Sequence, residues 1–195
     1  MAAAKHLHHA ALALGAALML AQVSAFADYK SLGRTATHAE IEGWSINVYP
    51  DGTGLPKTAQ GTVKQGEQVY QNACLACHGI KLEGGLGPAL VGGMGSLTSD
   101  KPIKTIGSYW PYATTIFDYV RRSMPFQAPQ SLTDDEVYAV TGYLLHMNGL
   151  MDADATVNAE SLMAVKMPNR DAFYVDDRPD VQNERCMTDC LKPKP

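Results

Sequence analysis

Cys74-Leu75-Ala76-Cys77-His78 constrains this chain more than any other stretch of it. Two thiols separated by two residues, with an imidazole directly after the second, can grip one flat ligand at three points. Each sulfur can add across one vinyl group of the same porphyrin, and the next side chain then lies under the ring, facing its iron. C-x-x-C-H is the pattern of c-type haem attachment. Three rival readings exist. A thioredoxin-like pair wants a βαβ context, which the sequence lacks. A zinc site wants a second ligand pair at suitable spacing, and Cys186 and Cys190 stand more than a hundred residues away. A plain disulfide is the third. The sequence holds the motif once, so it predicts one covalent haem c.

Two further roles follow from the chemistry of such a group. An axial histidine needs an acceptor for its second ring N–H, which fixes its orientation and basicity. Gly87-Pro88-Ala89-Leu90 follows closely, and a proline carbonyl can still accept. Pro88 is therefore the candidate partner of His78. The opposite iron face needs a sixth ligand. Met147 falls on the apolar side of a helical pattern and reads as packing, whereas His146 beside it reads as solvated. Met94 sits in a glycine-rich loop. Met124 sits in Ser123-Met124-Pro125-Phe126, between two helical stretches, where a loop can cover the haem. Met124 is the favoured sixth ligand, since Met/His ligation closes both iron faces and raises the potential. Trp110 and Tyr112 are candidates for propionate contacts, weighed evenly against ordinary aromatic packing with a polar tip outward. Arg121-Arg122 reads as a solvated helix face.

The ends of the chain speak about compartment. Lys5 and three histidines precede an apolar run over 10–21, and Ala25-Phe26-Ala27 follows as a small-x-small pattern. That order predicts a secretory signal peptide over 1–27, cleaved after Ala27. The run is too short for a membrane span of about 20 residues. The expected mature chain has 195 − 27 = 168 residues, and loss of Lys5 takes the formal charge from −4 to −5. An acidic chain without a long basic run argues against a nucleic-acid partner. No later stretch is long enough to span a membrane, so the mature chain is expected in the periplasm with no span. Such a compartment is oxidising. A local disulfide is therefore the favoured reading of Cys186 and Cys190, with a tie to a partner or a sulfur-accepting thiol as the other readings.

Periodicity completes the organisation. An N-terminal arm over 28–60 ends in Gly and Pro turns and has room for one short ordered piece near Ile41–Val48. The domain proper spans 61–150. Val63–Ala73 reads as a helix in which Gly66 is costly unless another helix crosses there. Tyr112–Ser123 reads as a second helix. Thr133 and Glu136 form a capping box for the last, with Leu132 and Val137 as a staple and Gly149 as the stop. The extension 151–195 is proline-bearing and reads as a wrapping segment. No convincing period-2 run appears, so the fold class is all-α.

With these elements in place, the chain resembles a class I cytochrome c. Cys74-x-x-Cys77-His78, Gly87-Pro88-x-Leu90, Met124-Pro125 and Tyr143-Leu144 carry the likeness. It implies helices packed around one covalent haem, with extended N- and C-terminal arms. It also implies Gly66 and Tyr70 against Tyr143, and His78 and Met124 on the iron. Asp51–Pro56, Leu97–Asp100, Thr105–Thr115, Met124–Phe126, Ala128–Val140 and Met167–Arg170 resemble, more narrowly, the cytochrome subunit of Sox-type sulfur dehydrogenases. This second likeness implies a molybdenum-cofactor partner subunit that oxidises sulfane sulfur or sulfite. Electrons would pass singly through this chain to a downstream cytochrome. Some members carry two haems, and this chain has the motif for one. No residue reads as catalytic. The alternatives are a stand-alone soluble shuttle, or a haem enzyme with an open or displaceable sixth position.

Overall fold

Three helices frame the interior, and each begins or ends where its sequence dictates. The computed structural model describes residues 33–175, which divide into two units at Ser45. The first unit contributes one short helix, α1 (His38–Trp44). Thr37 caps it, and Glu40 at the third position returns a bond to the Thr37 backbone. Arg34 pairs with Glu40 and holds its carboxyl down at about 2.

In the second unit, α2 (Val63–Ala73) starts at a Thr62–Gln65 capping box. A single turn, α3 (Leu75–His78), carries the second motif cysteine and the histidine. A long irregular stretch follows, with one 3-10 turn at Ser96–Thr98. Helix α4 (Ala113–Ser123) and helix α5 (Asp134–Met147) complete the frame. Thr133 and Glu136 form the capping box of α5. At its other end Gly149 N–H donates to the His146 carbonyl and Leu150 N–H to the Leu145 carbonyl, with Gly149 at φ 73°. That is a Schellman motif, which satisfies carbonyls the helix leaves unpaired and calls for glycine.

Helices α2 and α5 cross almost in backbone contact. A Cβ on Gly66 would stand 1.9 Å from the Ala139 carbonyl oxygen and 2.8 Å from Tyr143 Cβ. Tyr70 and Tyr143 pack beside this point, ring centroids 5.4 Å apart. The crossing gives the glycine its reason, and close approach outweighs the roughly 1 kcal/mol it costs in a helix. Phe117 and Tyr138 join α4 to α5, with ring centroids 4.5 Å apart.

Two residues each from β1 (Gly61–Thr62) and β2 (Thr156–Val157) pair antiparallel, Gly61 opposite Val157. Strands this short leave no alternation to read, and the described residues are otherwise helix and loop. A last short helix, α6 (Ala159–Met163), buries Leu162. Val48 and Leu55 from one side of the 61–150 stretch share its core, as do Val157, Leu162 and Met167 from the other.

The two arginines at the end of α4 are structural. Arg122 forms a forked pair with the buried Asp118 carboxylate, which also accepts from Val48 N–H at 2.8 Å. Arg121 Nε lies 2.9 Å from Asp134, and its guanidinium donates to the Ile46 carbonyl at 3.3 Å. The expected solvated face is thus taken up by ion pairs that pin residues 46–48 to α4 and tie α4 to the start of α5.

Candidate functional site

The three motif residues open together on one cavity of about 600 Å³. Helix α2 closes at Cys74, whose N–H donates to the Tyr70 carbonyl. The chain then turns through α3, and both Cys77 N–H and His78 N–H donate to the Cys74 carbonyl. This tight return brings Cys74, Cys77 and His78 to the same wall. The two thiols are half-buried and not bonded to each other. Burial, with Cys77 adding to it, pushes the Cys74 thiol up to about 11. Among the described residues no group of His, Cys, Asp and Glu gathers as a metal-ion cage.

His78 is seated from one side by backbone. Its Nδ1 lies 2.8 Å from the Pro88 carbonyl oxygen. A Cβ on Gly87 would stand 2.8 Å from His78 Cε1 and 3.0 Å from Nδ1. Only glycine lets the loop lie flat against the imidazole there, leaving Nε2 as the free ring nitrogen. Gly87 N–H donates to the Cys77 carbonyl and Gly84 N–H to the His78 carbonyl, so the loop is anchored on the motif it supports.

Leu90, Ile106, Ile116, Val120, Val140 and Leu144 give the cavity its apolar walls. Met124 lines it from the end of α4, half-buried, where its N–H closes the helix on the Val120 carbonyl. The following bond to Pro125 is cis. The other methionines weighed from sequence are elsewhere: Met94 is 62% exposed and Met147 is 38% exposed. Met147 therefore does not pack in the core as its spacing suggested. It falls in the last residue of α5, where the helix no longer faces its neighbours. His146, expected to be solvated, is half-buried with Nδ1 2.9 Å from the Met151 carbonyl.

The two aromatic candidates separate. Trp110 lines the cavity and stands edge-on to Tyr119, centroids 5.7 Å apart. Tyr112 is the N-cap of α4, is not among the lining residues, and carries the Arg170 guanidinium over its ring at 4.9 Å. Sequence reasoning passed over Lys104, Leu86 and Phe126, all of which line the cavity. They sit in irregular backbone, where no periodicity marks an inward face. The segment Cys186–Cys190 and the N-terminal 1–27 stretch lie outside the described residues.

An apolar cavity edged by two thiols and a backbone-seated imidazole is suited to a planar macrocycle whose metal takes nitrogen from one side. The residues present fit a haem. A thioether sulfur from Met124 is available at the same cavity.

The family model described as "Cytochrome C oxidase, cbb3-type, subunit III" matches residues 61–144. A chain of the crystal structure of the sulfane dehydrogenase SoxCD from Paracoccus pantotrophus is 45% identical, with a TM-score of 0.71. The match covers 85% of this chain and 84% of that one. No curated protein matches the chain.

Proposed function

Because this chain belongs to the class I cytochromes c, among the SoxD-like cytochrome subunits of Sox-type sulfane dehydrogenases, we propose that it is a periplasmic monohaem c-type cytochrome. It receives electrons singly from a molybdenum-cofactor sulfur dehydrogenase subunit and passes them to a downstream cytochrome. The family membership makes it an electron-transfer cytochrome with haem c. The number of haems, the linkage and the ligands are part of the proposal.

The observation that carries the reading is the convergence of Cys74, Cys77 and His78 on one apolar cavity, with the His78 ring held by Pro88 and Gly87. Cys74 and Cys77 would hold the haem through thioethers, and His78 and Met124, which line the same cavity, would bind its iron. The iron supplies one-electron cycling between its ferric and ferrous states. The protein's own share is to fix the imidazole, exclude water with the walls from α4 and α5, and cover the second face from the Met124 loop. A hydrogen-bond acceptor on the axial histidine strengthens it as a ligand. With His78 and Met124 both bound, the iron would keep no coordination site for a substrate, which suits electron transfer.

Among the described residues no helix is long and apolar enough to cross a membrane. Export, cleavage after Ala27 and the Cys186–Cys190 disulfide complete the proposal. Full-length protein from a host able to mature c-type cytochromes is expected to be coloured and heavier than bare polypeptide by one haem. Its ferric form should show the weak far-red band of sulfur-ligated iron, lost in Met124→Ala. Colourless protein of polypeptide mass refutes the haem assignment, and a band that survives Met124→Ala refutes the ligand. Isolation of the native complex with iron and molybdenum analysis tests the partner. A cytochrome recovered without molybdenum argues for the free shuttle.

A further inference from the structure

The cavity is mainly apolar. Haem is not wholly so: its two propionates stand on the side of the ring away from the vinyl groups that thiols take up. A buried or half-buried carboxylate needs a cation or hydrogen-bond donors. Among the described residues lining the cavity there is no Asp, Glu or Arg, and Lys104 is the one lysine. Besides the motif residues, Tyr119 is the other titratable side chain there.

The backbone around Lys104 is held more firmly than an exposed lysine needs. Ile103 N–H donates to Ser96 Oγ at 3.0 Å, and Ser108 Oγ donates to the Ile103 carbonyl at 2.7 Å. Thr105 N–H donates to Ser108 Oγ at 2.9 Å, and Thr105 Oγ1 donates to the Gly92 carbonyl at 2.7 Å. A Cβ on Gly93 would stand 2.3 Å from the Ile103 carbonyl oxygen. Both neighbours of Lys104 are thus fixed by side-chain hydroxyls and by a close glycine. Its ammonium sits over the Tyr109 ring, 5.1 Å from the centroid, which limits where the long side chain can swing. Trp110, next along, lines the same cavity and offers an indole N–H.

We propose that Lys104 is the counter-cation of a haem propionate and, through that pairing, a determinant of the haem potential. The inference rests on the haem reading above. A positive charge beside the propionate disfavours the ferric state, which carries one more positive charge than the ferrous, so it raises the potential.

The test uses the matured holoprotein and three variants: Lys104→Gln, Lys104→Arg and Lys101→Gln, the last an exposed lysine of the same loop that does not line the cavity. Each is checked for haem by mass and absorption, then titrated for its midpoint potential. Lys104→Gln is expected to make reduction about fivefold less favourable at low ionic strength, less in high salt. Lys104→Arg and Lys101→Gln are expected to stay within about twofold of the parent. Holoprotein in which Lys104→Gln titrates like the parent overturns the assignment. So does an equal fall in Lys104→Arg, which would make packing on Tyr109 the cause. An equal fall in Lys101→Gln would make the effect one of overall charge and also overturn it. A parent protein without haem overturns the haem reading instead, and the mass measurement tells the two failures apart.

Discussion

The two sides of the cavity are built by different means. The helical side, where α2 crosses α5, owes its geometry to what is missing: Gly66 has no side chain, so backbone meets backbone. The loop side, 79–112, owes its geometry to what is shared. Asn148, just past α5, donates to the Leu90 and Leu144 carbonyls and accepts from Gly107 N–H. Ser96, Thr105 and Ser108 bind one another's segments through their hydroxyls. Among the described residues, the one buried side-chain hydroxyl without a hydrogen-bond partner is that of Thr141, on the helical side. Packing dictates one wall, and hydrogen bonds between residues far apart in the chain dictate the other.

Substitutions can break this contrast. Gly66→Val should be the most damaging, costing about 4 kcal/mol or preventing folding, because overpacking at a backbone contact cannot relax. Urea unfolding or soluble yield would show it, and a loss under 1 kcal/mol would mean the helices can part freely. Asn148→Ala should cost about 3 kcal/mol, since it strands a buried N–H and two carbonyls. It should also raise hydrogen exchange at Gly107 while leaving α2 protected.

Ser108→Ala, which removes three bonds of the loop, should cost about 2 kcal/mol by the same measure. Its exchange changes should stay within 92–109. Thr141→Val should go the other way, gaining about 1 kcal/mol by removing a hydroxyl that has no bond to lose. A destabilised Thr141→Val would show that the hydroxyl is used after all and weaken the contrast.

The smallest effect is a pH dependence. Tyr138 donates to the Pro56 carbonyl at 2.9 Å, and burial pushes its phenol up to about 12. An unfolded tyrosine ionises near 10. The folded chain therefore holds this proton longer. Stability from this group is complete below pH 10 and falls between 10 and 12. Tyr138→Phe should flatten that alkaline slope at a cost of about 1 kcal/mol.

How legible each wall was follows from the same contrast. The span of helix α2 was legible in the spacing of Val63, Gly66, Val69 and Tyr70, whereas its Thr62–Gln65 capping box emerged only with the structure. The Thr133 capping box and the Gly149 stop of α5 were readable for the same local reason. The motif cysteines, His78 and Pro88 were legible as a group because they are close in sequence. Lys104 was not, since its position depends on Ser96 and Ser108 and on a cavity that exists only once α4 and α5 are placed. The role of Arg121 was hidden likewise, since no spacing rule connects it to Asp134 or Ile46; Arg122, by contrast, pairs with Asp118 at i, i+4, a spacing the sequence displays. Met147 was misjudged because periodicity continues to the end of a helix whether or not a neighbour does.

The flat seat of Gly87 against His78 bears on speed as well as on shape. An electron hops quickly only when the atoms around the metal need scarcely shift between one charge and the next. On the proposed ligation, an imidazole backed by main chain and tethered to Pro88 has little room to tilt or slide as the iron gains or loses its electron. A low reorganisation energy would then be written into the chain by the absence of a single methyl group.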